Sequence, residues 1–203
     1  MIQALTQPMT FAQFLEWKSD KGLCELHEGE IIEMQPTGKH EEIGAFLARK
    51  FNFEIERLDL PLLIPKQALI KPAFKQSGYF PDVLVLNRHN LSSENMWEKA
   101  STVSLGNSIP LVVEVVSTNW GDDYALKLED YELIGIGEYW IVDYLALGGR
   151  RFIGNPKQPT ISVYKLVENE YQVAQYRGNE VINSSVFPGL KLTANQIFRV
   201  GLS

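Results

Sequence analysis

Two acidic residues adjoin apolar strands, where an ionised side chain needs a specific partner. Glu114 lies in the middle of the β-branched run 109–117, and Asp82 stands at the head of the apolar run 83–86. A carboxylate buried without a partner costs much free energy, so such a group is paired, hydrogen-bonded or bound to a metal. Because adjacent strands can bring two such groups together, we predict that Asp82 and Glu114 share one site.

Two carboxylates with a main-chain carbonyl between them, here that of Val115, form an all-oxygen ligand set. Magnesium and manganese prefer such ligands. A metal bound there can polarise a phosphoryl oxygen and activate a water molecule. The simpler interpretation is two half-buried acids that accept hydrogen bonds from neighbouring backbone. Since both acids adjoin long β-branched runs, we favour the metal site.

Composition narrows the class of protein. The chain has 203 residues, 45% of them apolar, and a formal net charge of −6. This charge is not that of a protein that holds nucleic acid by charge alone, although a local cleft could still bind it. Cys24 is the single cysteine, so no internal disulfide framework is possible. With no secretory pattern and no long apolar run, we expect a cytoplasmic protein without a membrane partner.

Periodicity places the two acids within an α/β arrangement. A long amphipathic helix is predicted from His40 to about Leu58, and a second helix from Asp122 or Asp123 to about Ile134. The second helix lies between the strand of Glu114 and a strand over 138–144, so the order suggests a parallel crossover.

Further β elements are expected at both ends of the chain. The stretch 24–34 predicts two strands that turn near Glu28, and 161–176 predicts a hairpin that turns at Glu168. A last extended segment is expected over 186–190. Capping-box patterns open short helices at Thr10 and Thr193, and the first helix should be broken by Ser19 to Gly22. We find no linker and predict one domain over 1–203.

Other chemistries have weaker support. The three histidines show no zinc-ligand spacing with Cys24. The pattern Gly135-Ile136-Gly137 follows a helix instead of preceding one, so it is not a dinucleotide fingerprint. No phosphate-binding Gly-x-x-x-x-Gly-Lys loop is present, and we expect no nucleotide cofactor.

The ordered set of motifs resembles the Uma family of "putative restriction endonucleases", within the PD-(D/E)XK nuclease superfamily. The matching elements are Glu25-Leu26, Gly29-Glu30, His40, Pro81-Asp82-Val83, Val113 to Ser117, Asp123, Lys127, Tyr131 and Gly137 to Asp143. The resemblance implies a restriction-endonuclease-like mixed central sheet flanked by helices. It also implies magnesium- or manganese-dependent cleavage of DNA.

One departure from the superfamily pattern concerns its lysine, which should stand two residues after the glutamate. Val116 occupies that position. The resemblance implies that the lysine has migrated, and Lys127 on the next helix can reach back over the sheet through its long side chain. Taken alone, Lys127 is better explained as a solvated helix residue. The predicted catalytic residues are therefore Asp82, Glu114 and Lys127.

Four further residues form a second rank of candidates. His40 lies at a helix start and faces inward, where a capping role is an alternative to catalysis. Tyr131 shares a face with Lys127 and is expected to pack or donate a hydrogen bond. Glu42 falls off the inner face of its helix, and Glu30 has no better-defined role.

A second function remains open at this level. The fold could persist as a nucleic-acid- or protein-binding module whose catalysis has decayed, as Val116 and the acidic charge suggest. An amine of Lys127 at about 10 Å or more from both carboxylates would favour that alternative, since orienting a water requires hydrogen-bond reach. A homodimer could form through the aromatic strand of Trp140 or through the C-terminal hairpin.

Overall fold

The computed structural model describes residues 8–18 and 23–202, so the predicted helix break at Ser19 to Gly22 lies outside the described residues. The strands are β1 (Cys24–His27), β2 (Glu30–Glu33), β3 (Leu62–Leu63), β4 (Leu69–Ile70), β5 (Val83–Asn87), β6 (Thr102–Val103), β7 (Leu111–Val115), β8 (Glu138–Asp143), β9 (Thr160–Val167) and β10 (Glu170–Tyr176). The α-helices are α1 (Phe11–Trp17), α2 (Gly38–Leu58), α3 (Trp97–Ala100), α4 (Lys127–Ile134), α5 (Arg150–Ile153) and α6 (Ala194–Leu202).

The central sheet has six strands in the order β10-β9-β8-β7-β5-β3. Strands β7 and β8 are parallel, and the other neighbours in this sheet are antiparallel. The helix α4 connects the parallel pair, as a crossover connection requires. The predicted α/β class, a mixed central sheet flanked by helices, is confirmed.

The two terminal β elements are also present. Strand β1 pairs with β2, and β9 pairs with β10, both antiparallel. The first hairpin turns at Glu28 and Gly29, with φ of 50° and 90°, and the second at Glu168 and Asn169, with φ of 51° and 67°. Positive φ at both central residues is the geometry of tight hairpin turns.

Both capping boxes form, and one predicted element does not. Gln13 and Gln196 bond back to the backbone of Thr10 and Thr193, respectively. The extended segment expected over 186–190 is wrong, because these residues form turns in which the amide of Leu190 donates to the carbonyl of Phe187. The intervening proline has no amide hydrogen for a strand ladder.

Side chains alternate between two cores along the central strands. Val113 and Trp140 face α2 and α6, whereas Val112 and Ile141 face α4. Glu114 has the same parity as Val112, so it points toward α4. The sheet therefore directs this carboxylate to the helix that carries the candidate lysine.

The proposed self-association through Trp140 does not fit this arrangement. Its indole is fully buried and meets the ring of Phe51 edge-on at 5.4 Å. The C-terminal hairpin still offers an outer strand, since β10 pairs only with β9 in the sheet order. No helix among residues 8–18 and 23–202 is long and apolar enough to cross a membrane.

Candidate active site

The register of β5 against β7 brings the two strand acids together. Val83 pairs with Val113 in this antiparallel ladder, so Asp82 and Glu114 occupy the next cross-strand position. Directly opposite residues have Cβ atoms about 4.5–5.5 Å apart. The amide of Val115 donates a 2.6 Å hydrogen bond to Oδ2 of Asp82, which fixes that carboxylate against the end of β7.

Lys127 reaches this pair from α4. Its Nζ lies 3.1 Å from Oε2 of Glu114, 3.2 Å from Oε1 of Glu25 and 3.8 Å from Oδ1 of Asp123. The side chain is only 4% exposed, so it is not a solvated helix residue. The amine thus lies within hydrogen-bond reach of a strand carboxylate. It comes from helix α4, whereas the superfamily pattern places its lysine on the strand, at the position of Val116.

A π-helical turn sets the direction from which Lys127 approaches the strand acids. The predicted helix from Asp122 or Asp123 begins with such a turn over Asp122–Leu126, where the amide of Lys127 donates to the carbonyl of Asp122. The regular helix α4 then starts at Lys127. Single π-helical turns occur often at functional sites, because the extra residue redirects the side chains that follow. Here Asp123 and Lys127 are both buried toward the strand acids.

Tyr131 lies one turn further along α4. Its hydroxyl donates a 2.8 Å hydrogen bond to Oε1 of Glu114, and the residue is fully buried. The two oxygens of Glu114 therefore contact two different residues of α4. This agrees with the expectation that Tyr131 packs or donates a hydrogen bond.

Glu25 was not among the predicted site residues, although its motif belongs to the family resemblance. Its Oε1 also accepts from the amide of Phe80 at 2.8 Å, and its Oε2 lies 2.8 Å from Nε2 of His27. The sequence signal for a role of Glu25 in the site is weak, because the charge-rich stretch 25–33 resembles a solvent-exposed hairpin. The one clue is that Glu25 and His27, two positions apart, share one face of a short strand.

His40 contacts two of the three predicted metal ligands, Asp82 and the carbonyl of Val115. The hydroxyl of Thr37 caps α2 by accepting from the amide of His40, and Nε2 of His40 lies 2.6 Å from the carbonyl oxygen of Val115 and 3.4 Å from Oδ2 of Asp82. Since a carbonyl only accepts, Nε2 carries the hydrogen and Nδ1 is the acceptor nitrogen. Nδ1 is buried and has no hydrogen-bond partner within the described part of the chain.

The two remaining candidates lie outside the cluster. Glu42 is 52% exposed and pairs with Lys39 on the surface of α2. Glu30 is exposed on β2, where its register partner is His27. The structure does not bring either carboxylate to Asp82 and Glu114.

Comparisons with known proteins agree with the motif pattern. The family model Uma2, described as "Putative restriction endonuclease", matches residues 11–195. The chain belongs to this family. A similar solved structure is that of "a putative nuclease belonging to DUF820" from Anabaena variabilis, with 17% identity, a TM-score of 0.72, and coverage of 96% of this chain and 99% of that one. This likeness supports the fold. A search of curated proteins finds no match.

Electrostatics set the protonation of this Uma2 site. Burial, followed by the charge of Glu114, raises the pKa of Asp82 well above its usual value, and burial raises the pKa of Asp123 in the same direction. Burial raises the pKa of Glu114 to about 7, although Lys127 acts to lower it. For Lys127, burial lowers the pKa, but the neighbouring carboxylates outweigh it and raise the pKa well above its usual value. Lys127 is therefore a cation and cannot act as a base near neutral pH.

The donor atoms of the Uma2 site fit a hard divalent cation. A cavity of about 50 Å³ is lined by residues that include Asp82, Glu114 and Val115. Carboxylate oxygens have lone pairs beyond those used for the observed hydrogen bonds. A cation would also offset the burial, and the smaller mutual repulsion, that raise the pKa values of Asp82 and Glu114. Among residues 8–18 and 23–202, however, no group of three or more His, Cys, Asp or Glu side chains is placed to hold a metal. A metal here would thus need the Val115 carbonyl or water as further ligands.

Proposed function

We propose that this protein is a magnesium- or manganese-dependent phosphodiesterase that cleaves DNA. The observation that carries the proposal is the position of the Lys127 amine, 3.1 Å from the Glu114 carboxylate. It supplies a cation where Val116 leaves the strand without one. Membership of a family described as "Putative restriction endonuclease" supports the same reaction class.

The proposal assigns a role to each group. Asp82, Glu114 and the carbonyl of Val115 would hold the metal, which would polarise a phosphoryl oxygen and lower the pKa of a water molecule. Lys127 orients the attacking water by hydrogen bonding and stabilises negative charge on the phosphate through its own positive charge. Tyr131 holds the Glu114 carboxylate in place by its 2.8 Å hydrogen bond.

Cleavage of circular and linear DNA in the presence of magnesium or manganese tests the proposal. We expect Asp82→Asn, Glu114→Gln and Lys127→Met each to lower the rate by about 100-fold or more, as loss of a transition-state charge contact does. Glu56→Gln, which changes an exposed acid on α2, should keep the wild-type rate. An inactive wild-type protein, or undiminished cleavage by Asp82→Asn and Glu114→Gln, would show that the assignment is wrong.

The alternative is a DNA- or protein-binding module without catalysis. It is favoured by the lack, within the described residues, of a third side chain placed as a metal ligand. Isothermal calorimetry with manganese discriminates between the two functions. Heat of binding that disappears in Glu114→Gln favours the nuclease, and no measurable binding favours the module.

The proposal also includes a homodimer in the cytoplasm. The outer strand β10 presents Val173 with 52% of its surface exposed, and outer strands can pair across two chains. Light scattering after gel filtration measures the mass. A monomer at all concentrations would exclude the dimer.

A further inference from the structure

A second, larger cavity lies directly beside the carboxylate pocket. Its volume is about 410 Å³, and His40 and Asp82 line both spaces. Pockets that hold small organic ligands typically have volumes of about 300–1,000 Å³. The larger cavity is therefore of a size for one nucleotide unit, whereas the pocket of about 50 Å³ has room only for a cation and water.

The walls of this cavity combine an aromatic ring, aliphatic groups and amides. The half-buried Phe80 and Ile64 contribute apolar surface, and Asn52 and Gln67 contribute side-chain amides. Unstacked bases are bound by stacking on aromatic side chains and by hydrogen bonds to their edges. The lining thus has the chemistry that a nucleobase requires.

The helix α2 leaves the space open. Gly44, Ala45 and Ala48 line the cavity from this helix, spaced so that they share one face. Larger side chains at these positions would fill the volume. Lys66 and Glu41 add opposite charges to the wall, so their charges do not combine into a cationic site for phosphate.

The recessed position of the catalytic groups restricts how a substrate can enter. The side chains of Glu114 and Lys127 are only 3% and 4% exposed. A phosphate that approaches these recessed groups brings its attached nucleotide with it, and that nucleotide needs space beside the pocket. The cavity that shares His40 and Asp82 with the pocket supplies such a space.

We propose that the 410 Å³ cavity binds one unstacked nucleobase beside the scissile phosphate, so that the preferred substrate is DNA with an unpaired nucleotide at the cleavage position. This inference rests on the proposed nuclease function. Pairing holds a base in the duplex, and extruding it costs a few kcal/mol that an unpaired nucleotide does not require. Single-stranded or frayed DNA should therefore bind more tightly than a closed duplex.

The test compares two single strands of equal length, one of thymidine nucleotides and one with abasic residues throughout. Both carry fluorescein, and anisotropy gives the dissociation constants in calcium buffer. Wild-type protein should bind the thymidine strand about tenfold more tightly, in line with the effect of one stacked base. Ala45→Trp fills the cavity and should reduce this ratio to about one. Ala12→Trp makes the same change at an exposed position of α1 and should keep the ratio.

The ratio separates a lost base site from general damage, because both strands share one backbone. Ala45→Leu is a smaller plug and should give an intermediate ratio, and circular dichroism checks the folding of each variant. Equal binding of both strands by wild type, no binding of either, or a ratio that Ala45→Trp leaves unchanged would overturn the inference.

Cleavage of plasmid DNA with manganese is measured in parallel. Cleavage together with equal strand binding overturns the base site and leaves the nuclease intact. A tenfold ratio without cleavage supports the base site. That result places the failure in the proposed catalysis alone.

Discussion

The replacement Lys127→Met removes the cation from the buried acid cluster while keeping a side chain of similar length. Its Nζ lies within 3.8 Å of carboxylate oxygens of Glu25, Glu114 and Asp123. The lysine lowers the pKa of each of these acids. Methionine leaves them with mutual repulsion and no buried counter-charge.

The cost depends on pH, and the sign follows from the raised pKa values. Asp82, Glu114 and Asp123 have higher pKa values in the folded protein than in the unfolded chain. At pH values between the unfolded and the folded pKa, the native state therefore binds more protons than the unfolded state. Stability from this source is present below the unfolded pKa and is lost as pH rises through the folded pKa. Without Lys127 the folded pKa values rise further. The free energy of unfolding then continues to fall up to a higher pH, and its total decrease is larger.

Removing one partner of a buried ion pair costs about 3–5 kcal/mol. We expect a loss of that size in the free energy of unfolding of Lys127→Met at about pH 8, where the acids must ionise. At about pH 5 the cluster can take up protons, and the loss should shrink to about 1 kcal/mol.

Urea unfolding followed by tryptophan fluorescence measures these values across the pH range. Lys99→Met, at an exposed position of α3, is the matched control and should lie within about 0.5 kcal/mol of wild type at each pH. A loss for Lys127→Met that is the same at both ends of the range would refute the electrostatic explanation. A variant as stable as wild type throughout would show that the lysine does not lie among the carboxylates.

Three smaller predictions follow from neighbouring contacts. Tyr131→Phe deletes the hydroxyl that donates to Glu114 and should lower the free energy of unfolding by about 1.5–3 kcal/mol in urea titrations. Glu138→Ala leaves the indole of Trp140 and the amide of Ser185 without their acceptor, so we expect a loss of about 3 kcal/mol by the same method. Manganese at about 100 times its dissociation constant should stabilise wild type by about 2.7 kcal/mol in thermal scans, and Glu114→Gln should abolish this shift.

Local patterns were sufficient to assign Glu114 and Tyr131 to faces of their strand and helix, whereas Lys127 was singled out by the family resemblance. A period of two puts Glu114 on the same strand face as Val112, and the helical period puts Tyr131 on the same face as Lys127. Both periods depend only on backbone geometry, so they can be counted along the sequence. The hairpins and helix caps were predictable for the same reason, since their residues lie within a few positions of each other.

The place of Glu25 in the candidate site depends on contacts between segments that are distant in the sequence. Strand β1 is held against residue 78 by reciprocal backbone hydrogen bonds between Leu26 and Gly78, of 3.0 and 2.8 Å. This docking brings Glu25 to the amine of Lys127, 102 positions away in the chain. No local period encodes such an approach.

The sequence by itself determined which side chains could do chemistry and which strand or helix face each one occupies, because side-chain direction follows the backbone repeat. Only the tertiary structure decided which of these faces meet. It brought Asp82, Glu114, Lys127 and His40 together and left Glu42 at the surface. The physical reason is that the meeting depends on strand register, on the π-helical turn before α4 and on the docking of the first hairpin, all of which arise from packing over long chain separations.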